Sequence, residues 1–177
     1  MKKLSANYAW HFVGKTLRDG SQIPPDGETL VYKGPLVMCQ SGLHWSRNPF
    51  DALEYAPGAT LCLVTPGGTI IEPSNDNKGL SSTRTIIARM DATELCRYFA
   101  RMCALSVSHL WCKSDDPNNI VLEWLMTGDE SLRASARDSA RASARASAWA
   151  SAWDSAWDSY KNEFTQLVYE CFEDFLP

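Results

Sequence analysis

Between Asp129 and Leu176 the chain has neither proline nor glycine, so that stretch carries none of the strong helix breakers. Histidine is scarce as well: His11, His44 and His109 are the only three. There is no GxSxG element, which excludes the nucleophile elbow of α/β-hydrolases. There is no Gly-rich phosphate loop either, because Gly67-Gly68 stands between two expected strands and not between a strand and a helix. The six cysteines form no CxxC pair and have no histidine at metal-ligand spacing. They read as small buried hydrophobes in a reducing cytosol, and no metal is expected. No apolar run approaches the length of a membrane span, and MKKLSANYAWHF lacks the apolar core of a secretory leader. A net charge of −4 argues against whole-surface nucleic-acid binding. Neither a membrane nor a nucleic acid is expected as partner.

What is present is a tetrapeptide repeat. Ser131 to Tyr160 reads SLRASARDSARASARASAWASAWDSAWDSY. Arg133, Arg137, Arg141 and Arg145 hold one position of the repeat, and Trp149, Trp153 and Trp157 then take it over. Alanine and arginine are strong helix formers. The pattern therefore predicts a single helix from about Asp129 to about Phe175, on the order of 65–70 Å long at about 1.5 Å per residue. A step of four residues advances about 40° around such a helix, so the stripe winds slowly. Trp149, Trp153, Trp157, Tyr160, Phe164, Leu167, Cys171 and Phe175 continue it as an apolar ridge that needs a cover. The arginines stand in the N-terminal half, against the helix dipole. That placement suggests a row serving a contact rather than the helix itself; the plainer reading is a solvated arginine face, and pairing within the chain or an oligomer is a third.

The segment before the repeat is strand-rich. Strands are expected at Asn7–Gly14, Thr29–Lys33, Leu36–Cys39, Thr60–Thr65, Thr69–Glu72 and Thr83–Met90, with a hairpin turn at Pro66-Gly67-Gly68. Ser41 to Ser46 reads as a tight connection. Asn48 followed by Pro49 starts a short helix reaching Ala56. Asp91 to Glu94 resembles a capping box opening DATELCRYFARMCAL, and short helices are expected at Val107–Cys112 and Pro117–Met126. The fold class is thus α+β: a small mixed or antiparallel sheet domain with short helices over residues 1–126, then one long Ala-rich helix over 129–175.

Two resemblances bear on function. The order WHFVGKTLRDGSQIPPDG, SGLHWSRNPFDALEYA, TLCLVTPGGTIIE resembles the opening of small ADP-ribosyltransferase-like folds, although the acidic turn motif of those folds is missing. That likeness implies NAD as cofactor, with His11 contacting it, His44 and Ser46 flanking the second element, and Glu72 in the place of the acid. The segments GLHWSRNPFDALEYAPG, RMDATELCRYFARMCALSVSHLW and TGDESLRASARDSARASA are similar to uncharacterised proteins of bacteriophages and mobile elements. Those pair a small N-terminal domain with an alanine-rich tail of repeating Arg and Trp. The second likeness implies action in the bacterial cytoplasm on a host protein complex, as an inhibitor of a defence system. The leading expectation is a non-enzymatic interaction protein without cofactor, whose arginine row meets an acidic partner surface while the three tryptophans anchor packing or binding. Self-association through the Ala-lined helix is the structural alternative.

Overall fold

The computed structural model describes residues 7–74, 76–110, 116, 118–143 and 150–176. The described chain folds as an antiparallel sheet with short helices, an α+β arrangement. The strands are β1 (Ala9–Val13), β2 (Thr29–Val31), β3 (Leu43–Trp45), β4 (Thr60–Ile71) and β5 (Gly79–Asp91). Their order is β1-β4-β5-β2, with β3 also pairing to β5, and every pairing is antiparallel. The α-helices are α1 (Pro49–Leu53), α2 (Thr93–Ser106), α3 (Ile120–Thr127), α4 (Arg133–Ser143) and α5 (Ala150–Cys171). Two compact units result: residues 1–93 with 162–177, and residues 94–161. The boundary expected near 126–129 falls inside the second of these.

In the first unit the sheet is built on the long hairpin β4–β5. β4 runs straight through Pro66-Gly67-Gly68, where a turn was expected. The register slips between Gly67 and Ile70, and Gly68 sits at φ +66°, the mark of a bulge. Proline is tolerated there because β1 pairs only with Thr60 to Val64, leaving that side of β4 without a neighbour needing its N–H. β1 is buried on both faces, since adjacent side chains alternate. Trp10 stacks on Tyr169 at 5.9 Å and meets Phe172 edge-on at 5.0 Å, while Phe50 meets Phe164 at 5.9 Å. Ala9 and Val13 point the other way and pack with Trp45, Cys62, Val64 and Ile86.

Several local expectations are corrected. Leu36 to Cys39 is not a strand; it holds a turn closed by a bridge between Val37 and Ser41. The supposed tight connection at 41–46 contains β3. β5 begins at Gly79, four residues before the expected Thr83. α1 starts as expected, with Asn48 Oδ1 accepting from Phe50 N at 2.8 Å and Pro49 in the first turn, but it stops at Leu53. Asp91 takes the N–H and hydroxyl of Thr93, whereas Glu94 pairs with Arg97 and not back onto the cap. Within the expected helix Val107–Cys112, the described residues form a single 3₁₀ turn, Ser108–Leu110.

The described residues of the repeat from Arg133 to Ser143 and from Ala150 onward are helical, but a single helix over 129–175 is not what the structure shows. α4 begins at Arg133, because Asp129 to Leu132 form a turn in which Asp129 Oδ1 accepts from Ser131 N at 2.8 Å. The described residues resume with α5 at Ala150, which ends at Cys171 and is followed by a 3₁₀ turn at Glu173–Phe175. The buried ridge of α5 is also displaced. Tyr160, Phe164, Val168 and Phe172 are buried, whereas Cys171 and Phe175 are exposed. No helix among the described residues is long and apolar enough to cross a membrane.

Candidate functional site

One face of the sheet gathers polar groups. His11 lies opposite Cys62 in the β1–β4 register, Cys62 opposite Arg89, and Arg84 opposite both Pro66 and Leu30. Arg84 is only 5% exposed. Its Nη1 donates to the backbone carbonyl of His44, and no carboxylate among the described residues lies at ion-pair distance. Burial lowers Arg84 to about 10, which still leaves it cationic at neutral pH. Burial likewise pushes the Cys62 thiol up to about 11, so it remains protonated and cannot serve as the counter-ion.

His11 is brought into the field of Arg84 and His44. Burial first, then Arg84, then His44 hold His11 well below the usual imidazole value. Burial first, then Lys78, Arg18 and Arg84 lower His44. The His44 ring is occupied: its Nε2 accepts from Cys39 N at 3.2 Å, with Cys39 at φ +64°. No protein partner for the ring nitrogens of His11 occurs among the described residues. Arg89 differs from Arg84 in being fully engaged, giving Nε to Asp26 Oδ1 and Nη2 to the Pro24 carbonyl, each at 2.6 Å.

Ser46 and Glu72 do not join this group as an acid or nucleophile would. Ser46 is 2% exposed and bonds through its backbone to Trp10 in both directions, at 2.8 and 2.9 Å. Glu72 is held by Arg47 through two parallel hydrogen bonds of 2.8 Å, and that pairing lowers its carboxyl. Arg47 also donates to the Tyr8 carbonyl at 2.8 Å and lies 4.4 Å over the Trp45 ring.

In the second unit, Ala136 of the repeat is 1% exposed and packs with Val121 and Leu125. On the same helix Arg133 and Arg137 are exposed, Arg133 pairing with Glu130 at 3.2 Å. Trp157 is 47% exposed. Arg145 and Trp149 lie outside the described residues, as do the side chains of Arg141 and Trp153. Among the described residues no group of three or more His, Cys, Asp or Glu could hold a metal ion.

Arg84 was not anticipated. Its one sequence signal is a pair of cations, Arg84 and Arg89, inside GLSSTRTIIARM, a stretch otherwise of apolar and hydroxyl residues.

The fold and this face define an α+β protein whose sheet unit bears a buried, cation-rich face. Residues 7–98 match a family model described as Domain of unknown function (DUF7666), and the chain belongs to that family. No curated protein and no solved structure matches the chain.

Proposed function

We propose that this chain is a non-enzymatic interaction protein that offers the arginines of its repeat to an acidic surface on another protein. In its finer form, the reading is a phage-type protein that binds and inhibits a bacterial host complex. One observation carries it. On α4 the small Ala136 seats the helix against Val121 and Leu125, while Arg133 and Arg137 stand in water on the same helix. Such an arrangement fixes a row of long cationic side chains on a rigid support, and arginine is over-represented among interface hot spots. The test replaces Arg133, Arg137, Arg141 and Arg145 by glutamate. Capture of a bacterial partner should disappear while the circular dichroism spectrum stays the same, and undiminished capture removes the row from the account.

A second reading, an ADP-ribosyltransferase-like enzyme using NAD, draws support from His11 lying in the field of Arg84 and His44. The engagement of Glu72 by Arg47 weighs against it, since an acid held in that pair is not free for chemistry. Under this reading the protein binds or consumes NAD, and His11→Ala stops it without loss of fold. No binding at millimolar NAD discards it.

A further inference from the structure

Arg84 is the group the fold leaves unexplained. A guanidinium taken out of water is costly unless matched by charge and hydrogen bonds. Arginine carries five N–H donors in a fixed fork, yet Arg84 spends them on one backbone carbonyl, that of His44. The sealed, unpartnered polar atoms among the described residues are Trp10 Nε1, Trp45 Nε1, Asp116 Oδ1 and Trp124 Nε1. Since no Arg84 nitrogen is among them, its remaining N–H groups are not wholly sealed from solvent.

The fixed charges that act on the two histidines of this face are cationic. Arg84 acts on His11, and Arg84, Arg18 and Lys78 all act on His44. Asp26 is taken by Arg89 and Asp19 by Ser21, while Asp76 offsets part of the charge of Lys78. The register shift between Leu63 and Val64, which leaves Ile87 unpaired, brings Arg84 to the sheet face of His11, and His11 adds a ring nitrogen with no protein partner among the described residues.

We propose that Arg84 and His11 form a binding site for a phosphoryl group, with Arg18 and Lys78 supplying attraction from further out. Arginine's fork suits two oxygens of a phosphate, and His11 can donate to a third. The excess of cations favours an ion of more than one negative charge over a single carboxylate. This site is independent of the arginine row on α4, and phosphate probes it without NAD.

The experiment titrates the intact chain with inorganic phosphate and, separately, with ADP, at constant ionic strength, reading melting temperature and the Arg84 Nε–H resonance. Saturable binding is expected, weakened at least tenfold by Arg84→Gln and measurably by His11→Gln, and unchanged by Arg97→Gln on α2. Tighter binding of ADP identifies a phosphate ester as the source, and equal or weaker binding identifies the free ion; both support the site. Absence of saturation, indifference to Arg84→Gln, or equal competition by acetate overturns it. Should Arg84→Gln not fold, the resonance in the native chain decides: a phosphate-dependent shift supports the site, and an unmoved signal overturns it.

Discussion

Arg47 and Glu72 meet fork to fork, Nε to Oε1 and Nη2 to Oε2, both at 2.8 Å. The pair joins the residue after β3's neighbouring bridge to the end of β4, and Trp45 lies beneath the guanidinium. Both side chains are more than a third exposed to water or close to it, at 35% and 40%. Solvent therefore screens the attraction, and Glu72→Gln should cost no more than about 1 kcal/mol. Because Arg47 lowers the Glu72 carboxyl, its contribution is present above the ordinary glutamate value of 4.5 and fades as pH falls through the lowered value. Urea unfolding at pH 7 and at pH 3 checks this: the variant and the parent should differ at the first and converge at the second.

Gly79 and Trp45 are opposed across the β3–β5 pairing. A Cβ on residue 79 would come within 2.2 Å of the Trp45 ring, which is itself only 2% exposed. The indole has nowhere to retreat, so Gly79→Ala should destabilise the sheet unit by about 1–3 kcal/mol through overpacking. A lowered urea midpoint with a red-shifted tryptophan emission is the expected result.

The end of α5 belongs to the core of the sheet unit. Phe172 is 2% exposed and meets Trp10 edge-on, while Phe164 and Val168 are fully buried. Phe172→Ala should cost about 3–5 kcal/mol, the usual penalty for emptying a packed aromatic site. A chain truncated after Gly128 loses Phe164, Val168 and Phe172 together, and should show an exposed, red-shifted Trp10 in place of a separable sheet domain. A cooperative, native-like melt of that truncated chain would contradict this account of the core.

How much of this was readable from residue order depends on where the deciding force is local. Asn48-Pro49 and Asp91 mark helix starts because capping involves neighbours two or three residues away, and both cap groups accept the backbone bonds that role demands. The helical character of the repeat's described residues in α4 and α5 follows from alanine's propensity in the same way. β3 was missed because Leu43 to Trp45 is three residues long and owes its conformation to pairing with Gly79 to Ser81, far along the chain. The turn at Pro66-Gly67-Gly68 was misread because its signals are equally those of a bulge, and only the short reach of β1 decides between them. The ridge on α5 was placed at Leu167 and Cys171, yet its burial follows Val168 and Phe172. That choice is made by Trp10, which the helix's own sequence does not contain. Arg84 is invisible for the same reason: its character comes from missing neighbours, not from its flanking residues.

The two histidines of the sheet face give a pH signature of opposite sense to a salt-bridged histidine. Burial leads the depression of both, with Arg84 next for His11 and Lys78, Arg18 and Arg84 next for His44. Each is therefore neutral in the folded chain at a pH where the unfolded chain, near the ordinary 6.5, already takes up a proton. The unfolded state binds more protons in that window, so stability rises with pH there. Their contribution is complete above about pH 6.5 and is lost as pH falls from that value towards the lowered folded ones, with a slope of at most about 1.4 kcal/mol per pH unit per group. His11→Gln removes one titrating group and should flatten the fall in melting temperature between pH 6.5 and 5, leaving the value at pH 8 nearly unchanged. Phosphate added at pH 6 should flatten the same fall in the parent, because an anion beside Arg84 favours the protonated imidazole of His11. A parent chain whose melting temperature is flat from pH 8 to 5 would mean that neither ring is held neutral by the fold.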